Sequence, residues 1–435
     1  MALAGWPIPP TRAQWVIALA QEIGRQVLHQ LWPSRFIGRA GEKQGGYNTA
    51  AAAYIRLTEL YIFANATDRI LISVFHALNL AEAVGPSPVL AQAYSGMALT
   101  AGLIPLRRLA ERYERQALEI AERVNDLPAL SWVLLLRGVY GSGVGQWAKI
   151  ESALIRGAEI AERLGDRRRF DECRGMRGWG LFCQGRWAMT SQLEAAIAAN
   201  AGQRGDPQAH AYQLIARSEV ALRFGQPGQA EQVLTWTTEA AALLKEGTDV
   251  QHYIRFYGVV GAAHWRLGQF DQARQAAEKG LAIVTGSQPS ISYSLEGYAS
   301  VAEIWLAVWE QEKAQALNTP SPTRESARQA IKALYGFARP FPIGESRAHL
   351  WHGLLDWLNG KPSAAHNGWR KSLTAAQKMA MPYDEALAYY ELGRHASGDE
   401  RQTHLTRAIE IFERLGAAYD LERTRAALDS IHAQP

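Results

Sequence analysis

The chain has 435 residues, 48% of them hydrophobic and 20% charged, with 46 Lys and Arg against 42 Asp and Glu for a formal net charge of +4. That length admits two or three ordinary domains or one elongated repeat array. Ala, Leu, Glu, Arg and Gln dominate while Val and Ile are sparse, which favours helix over strand, and the interspersed charges form no tract that calls for nucleic acid.

Taken in chain order, an amphipathic stretch at 11–31 comes first, followed by Trp32-Pro33 and a loop holding Gly38, Gly41, Gly45 and Gly46. Helical hairpins are then expected near 46–84, 88–125, 127–164, 167–204, 207–246, 249–286, 290–339, 345–380 and 382–416, and a last polar helix near 418–432. The seventh hairpin is irregular, its turn replaced by the proline-rich run Asn318-Thr-Pro-Ser-Pro-Thr323. This divides the chain into an N-terminal helix-and-loop cap at 1–45, a repeat solenoid at 46–416 with its irregular unit at 290–339, and a C-terminal capping helix at 417–435.

The repeat is read from self-similarity. Ala-Glu-Ala-Val-Gly-Pro at 81–86, Ala-Glu-Arg-Val-Asn-Asp at 121–126 and Ala-Glu-Arg-Leu-Gly-Asp at 161–166 are 40 residues apart, and Asp206 continues the series. Gly145, Gly185 and Gly225 keep the same interval, Gly268 follows after 43, and Gly360 marks a later turn. A glycine that adopts the left-handed conformation ends one helix, and the aromatic two residues on (Trp147, Trp187, Phe270) is expected to plug the next. Seven residues before each turn lies a small residue, Gly138, Gly178, Ser218, Gly261 or Gly353, where helices must approach closely. The pattern resembles the tetratricopeptide repeat, lengthened from its usual 34 residues, and implies an all-α solenoid.

Signs of chemistry are poor. Gly141-Ser-Gly-Val-Gly145 has the glycines of a phosphate loop but no strand before it, and it coincides with a repeat turn. His349 and His352 share a helix face without a third metal ligand. Cys173 and Cys183 lie ten residues apart on one predicted helix, which argues against a disulfide framework or a zinc site. Arg107/Arg108 and Arg167–Arg169 are flanked by acids and read as helix-end charge. No apolar run approaches the roughly 20 residues of a membrane span, and Pro7, Pro9 and Pro10 break the N-terminal stretch. The expectation is a cytoplasmic, non-catalytic chain with no cofactor, no metal, no nucleic acid and no membrane partner.

Binding has more to build on, because the first helices of such an array line its concave face. Positions six and thirteen before each turn glycine give Val139/Trp132, Trp179/Glu172, Glu219/Tyr212, Ala262/Arg255 and Leu354/Arg347; three before it lie Leu222, Trp265 and Trp357 among others. Trp132, Glu172, Trp179, Tyr212, Glu219, Arg255, Trp265 and Trp357 are therefore the candidate partner-binding residues, aromatic anchors with isolated charges that suit a protein segment or peptide. The same tryptophans equally suit the packing of a long-helix interior, and the sequence leaves both uses open.

Several longer words go beyond a generic repeat: Gln30-Leu-Trp-Pro-Ser-Arg-Phe-Ile-Gly-Arg39, Leu78-Asn-Leu-Ala-Glu-Ala-Val-Gly-Pro-Ser-Pro88, Leu295-Glu-Gly-Tyr-Ala-Ser-Val-Ala-Glu303, Phe337-Ala-Arg-Pro-Phe-Pro-Ile-Gly344 and Met381-Pro-Tyr-Asp-Glu-Ala-Leu-Ala-Tyr-Tyr-Glu-Leu-Gly-Arg394. Over about residues 20–430 the chain resembles the C-terminal repeat region of bacterial multidomain proteins that carry a class III nucleotide cyclase domain and an AAA-type ATPase domain. Neither the cyclase aspartates nor an ATPase phosphate loop occurs here. The resemblance implies a regulatory module acting on an ATPase or cyclase partner; a self-assembling scaffold, with homo-oligomers, and an enzyme with an unrecognised site are the alternatives.

Overall fold

The computed structural model describes residues 11–63, 66–244, 250–315 and 322–429, and among these there is no strand. Helix α1 (Arg12–Leu31) and the one-turn α2 (Pro33–Phe36) precede nine helical pairs. These are α3 (Gln44–Phe63) with α4 (Thr67–Val84), α5 (Pro88–Leu103) with α6 (Arg107–Val124), α7 (Leu127–Gly143) with α8 (Trp147–Arg163), and α9 (Arg167–Cys183) with α10 (Trp187–Arg204). Then follow α11 (Pro207–Phe224) with α12 (Gln229–Leu243), α13 (Val250–Arg266) with α14 (Phe270–Gly286), α15 (Leu295–Ala314) with α16 (Pro322–Ala338), α17 (Glu345–Leu358) with α18 (Pro362–Lys378), and α19 (Pro382–Arg394) with α20 (Gly398–Leu415). Helix α21 (Ala418–Asp429) follows the last pair. The chain is an all-α helical-repeat protein of the solenoid class. Of the proline-rich run expected to break the seventh pair, residues 318–321 lie outside the described residues.

The forty-residue markers have a local cause. Asp126, Asp166 and Asp206 each accept a hydrogen bond from the backbone N–H three residues on, at 2.9, 3.0 and 3.0 Å, and so cap the starts of α7, α9 and α11. The turn glycines 145, 185, 225, 268 and 360 all have positive φ, between 57 and 75°. An L side chain at such a position costs about 1–2 kcal/mol, which is why the period is written in glycine. The small residues before the turns are packing sites: a Cβ added at Gly178 would fall 2.9 Å from Glu194 Oε1, and one at Gly353 would fall 2.5 Å from Trp369 Nε1. Gly138 faces Leu154 in the same way, and Ser218 is fully buried. Trp147 and Trp187 are buried after their turns, but Phe270 is 41% exposed and does not plug its helix.

Among the described residues the contacts resolve two compact units, one of 11–141 and 146–177, the other of 142–145, 178–244 and 250–429. The first has a core of Ala, Leu and Tyr, with Tyr94 and Tyr113 in contact at 5.4 Å between ring centroids. The second curls until its ends meet. Trp187 at the start of α10 packs edge-on against Tyr383 of α19 at 5.7 Å, and a Cβ on Gly185 would fall 3.1 Å from Pro382. That curl turns the first helices of five successive pairs, α11, α13, α15, α17 and α19, towards one interior, with α21 closing the rim.

Candidate binding cavity

The interior of the second unit holds charge. Arg255 of α13 and Glu219 of α11 form a two-pronged pair, Nε to Oε1 at 2.9 Å and Nη2 to Oε2 at 2.7 Å. Arg223 reaches Glu296 of α15, and Arg347 of α17 lies between Glu296, at 3.8 Å, and Asp384 of α19, at 2.7 Å. On the other side Arg394 of α19 holds Glu391 at 3.0 Å and Glu310 of α15 at 2.8 Å. Tyr383 donates to Asp420 at 2.8 Å, and Asp420 also pairs with Arg423, again at 2.8 Å. Guanidinium groups lie on tyrosine rings, with Arg223 on Tyr383 at 3.8 Å, Arg266 on Tyr419 at 4.3 Å and Arg423 on Tyr390 at 4.5 Å among them.

Such pairs contribute little net stability against apolar residues of the same volume, because desolvation offsets the attraction. What they do is hold a polar surface open. The helices leave between them a cavity of about 470 Å³, lined by Trp265, Phe270, Trp351, Tyr390 and Tyr419 together with the charged groups. That volume falls in the range of about 300–1,000 Å³ usual for small ligands.

Glu303 of α15 differs from its neighbours. It lines the cavity, yet no hydrogen bond and no ion pair within 4 Å joins it to a described residue. Burial raises its carboxyl above the usual range despite the pull of Arg423 and Arg347. Glu391 shows the opposite balance: burial acts on it too, but Arg394 and His395 bring its carboxyl down to about 2. Glu391 has its cation in direct contact, whereas the arginines that act on Glu303 do so from beyond 4 Å.

The candidate residues from the sequence fall in different places. Glu219 and Trp265 line the cavity, as do Leu222, Ala262 and Leu354. Arg255 stands behind Glu219 and spends its charge on it. Trp357 packs on His395 at 4.2 Å, and His395 approaches Glu391 at 3.6 Å. Tyr212 is stacked on His252 at 3.3 Å, and Trp179 is buried against Phe182 at 5.5 Å. In the first unit Trp132 lies under the Arg169 guanidinium at 4.3 Å, and Arg169 in turn bonds Glu172 at 2.9 Å.

The glutamates of α15 escaped the register rule because that pair has no turn glycine from which to count. A signal was nonetheless present: Glu296, Glu303 and Glu310 recur every seven residues in an otherwise apolar helix, as do Tyr383/Tyr390 and Asp384/Glu391 on α19. Elsewhere, the hydroxyl of Tyr335 lies 3.0 Å from His349 and 3.1 Å from His352, Cys173 and Cys183 are buried with free thiols, and the glycines ending α7 pack on Ile150 and Phe341. Among the described residues no group of three or more His, Cys, Asp or Glu is placed to hold a metal ion, and no helix is long and apolar enough to cross a membrane.

No protein-family model matches the sequence, and no curated protein matches it significantly. Among solved structures the chain is similar to a Rap protein complexed with Competence and Sporulation Factor, with 12% identity and a TM-score of 0.58 over 85% of this chain and 99% of that one. It also aligns with the human IFIT1 dimer with m7Gppp-AAAA (13% identity, TM-score 0.42, 96% and 94% covered) and with the P58(IPK) TPR domain (12%, 0.22, 87% and 98%). Of the three, the Rap likeness alone exceeds a TM-score of 0.5, and at that identity it is a likeness of fold: the chain is a tetratricopeptide-like helical-repeat protein.

Proposed function

We propose that this chain is a non-catalytic interaction module that captures a short protein segment or small effector in the interior of its second unit. The cavity of about 470 Å³ carries the reading, because it joins aromatic walls to a half-buried carboxylate, Glu303, that no ion pair within 4 Å holds. Trp265 and Glu219, with Glu303, form its working surface in this reading. The other candidates, Trp132, Glu172, Trp179, Tyr212, Arg255 and Trp357, serve as further anchors or as supports of that surface. A ligand bearing an ammonium or guanidinium group satisfies Glu303 and stacks on Trp265 or Tyr390. The Rap protein, whose structure was determined with Competence and Sporulation Factor bound, supports the idea of a repeat fold that holds a partner.

By its resemblance to the repeat region of cyclase and ATPase proteins, the module transmits occupancy of the cavity to an ATPase- or cyclase-type signalling partner in the cytoplasm. The segments 1–45 and 417–435 flank the 46–416 array in this reading, their residues 1–10 and 430–435 lying outside the described residues. The test is affinity selection from a short-peptide library, read by mass spectrometry. The wild-type chain is expected to retain peptides with Lys, Arg or a free amino terminus, and Glu303→Gln to lose them. Failure of the wild-type chain to retain any peptide at about 1 mM, the weak end of specific binding, would exclude the reading.

A further inference from the structure

Helix α1 is built inside out. Leu19 packs on the core, but Val16, Ile17, Ile23, Val27 and Leu31, with Trp32 at the helix end, are between 42 and 64% exposed, while Glu22, Gln26 and His29 are buried. The buried side is held by side-chain hydrogen bonds. Glu22 accepts from Asn79 at 2.7 Å, Gln26 donates to Tyr113 at 3.1 Å, and His29 Nδ1 lies 2.6 Å from Glu82. Glu82, 1% exposed, also accepts from Tyr94 at 3.0 Å. These contacts set the rotation of α1, so the apolar stripe at 16, 20, 23, 27 and 31 points outward by construction.

Among the described residues nothing covers the apolar side of α1, which faces outward. We infer that this stripe is the interface of a homodimer, in which α1 packs antiparallel on α1 of a second copy about a two-fold axis near Gly24. Three observations favour a second copy. The stripe is self-complementary: bulky residues stand at both ends (16 and 17, 31 and 32) and small ones, Ala20 and Gly24, near the middle. An antiparallel partner sets Ile23 against Gly24, and the space where a Gly24 side chain would stand is empty to 4 Å.

The second is area. At the observed exposures the stripe together with Ile17 and Trp32 offers at most about 700 Å² per chain, so a pair can bury up to about 1,400 Å², which reaches the roughly 1,200–2,000 Å² of stable interfaces. The third is charge. No charged residue interrupts the stripe, so antiparallel pairing brings no like charges together, and it opposes the two helix dipoles favourably. A membrane-surface helix carries a Lys- and Arg-rich polar face, whereas the polar face here is buried and holds Glu22, Gln26 and His29.

The experiment is sedimentation equilibrium of the full chain with Ile23→Glu and Gly24→Cys variants. The wild type is expected to be dimeric at about 10 µM and Ile23→Glu monomeric, a weakening of at least about 100-fold, with an unchanged circular dichroism melt. Because both native cysteines are buried, Gly24→Cys should give one oxidised covalent dimer. Gln14→Cys, about 30 Å from its mate in the antiparallel arrangement at 1.5 Å per residue, should give none. A monomeric wild type, a dimer that survives Ile23→Glu, cross-linking through Gln14→Cys, or a monomer that instead co-sediments with phosphatidylserine vesicles would each overturn the inference. None of these readouts involves the cavity, so this inference and the proposed function fail independently.

Discussion

Two places in this protein bury charged and polar side chains, and they do so to different ends. Beneath α1 in the first unit, Glu82 receives Gln26, His29 and Tyr94 in a buried network that sets the rotation of a helix. Inside the second unit, Arg223, Arg255, Arg347 and Arg394 are matched to Glu219, Glu296, Asp384, Glu310 and Glu391, yet a cavity remains and Glu303 is left over. The first network holds a helix in place, while the unfilled space of the second is, in our proposal, a binding surface. The contrast can be broken by removing charges from each network and asking whether stability or binding is lost.

The largest effect belongs to Arg347, 1% exposed and flanked by Glu296 and Asp384. Arg347→Ala leaves Asp384 in the interior without its cation while Glu296 keeps Arg223, and urea unfolding should show a loss of about 3–5 kcal/mol. Next come the packing glycines. Gly353→Leu forces a side chain onto Trp369 and should cost about 1–3 kcal/mol, whereas Gly268→Ala, which has empty space but a φ of 70°, should cost about 1–2 kcal/mol. Both are checked by the same denaturation midpoints. Glu303→Gln, in contrast to Arg347→Ala, should leave the midpoint within about 0.5 kcal/mol of wild type, because it breaks no ion pair.

The smallest effect concerns pH. Burial first, then the nearby Arg255 cation, hold His252 well below the ordinary histidine value of 6.5. The folded chain thus keeps His252 neutral while the unfolded chain takes up a proton near 6.5. The contribution is full above that pH and is lost as pH falls below it. The melting temperature should therefore drop between pH 7.5 and 5.5, and His252→Gln should make the drop shallower. A slope unchanged by the substitution would show that other groups govern it.

Most of the architecture could be read from the residues because the turns require glycine and the caps require aspartate, and both recur every forty positions. The cavity was only half legible. Counting back from turn glycines reached Glu219, Trp265 and Leu354, but α15 has no such glycine, so Glu296, Glu303 and Glu310 stayed out of view. Nor could one sequence show that Arg255 is consumed by Glu219, since that depends on how successive pairs pack. The reversed rotation of α1 was hidden for a related reason: the amphipathic pattern marks two faces of a helix, and only Asn79, Glu82 and Tyr113 determine which one turns inward.

The most direct test of the receptor account is calorimetric titration of a library-selected short peptide into the wild-type chain, Glu303→Gln and the surface control Glu59→Gln. The account predicts binding to wild type and to Glu59→Gln with equal affinity, and at least about tenfold weaker binding to Glu303→Gln, the worth of one charged hydrogen bond. Equal affinity for all three proteins would contradict it.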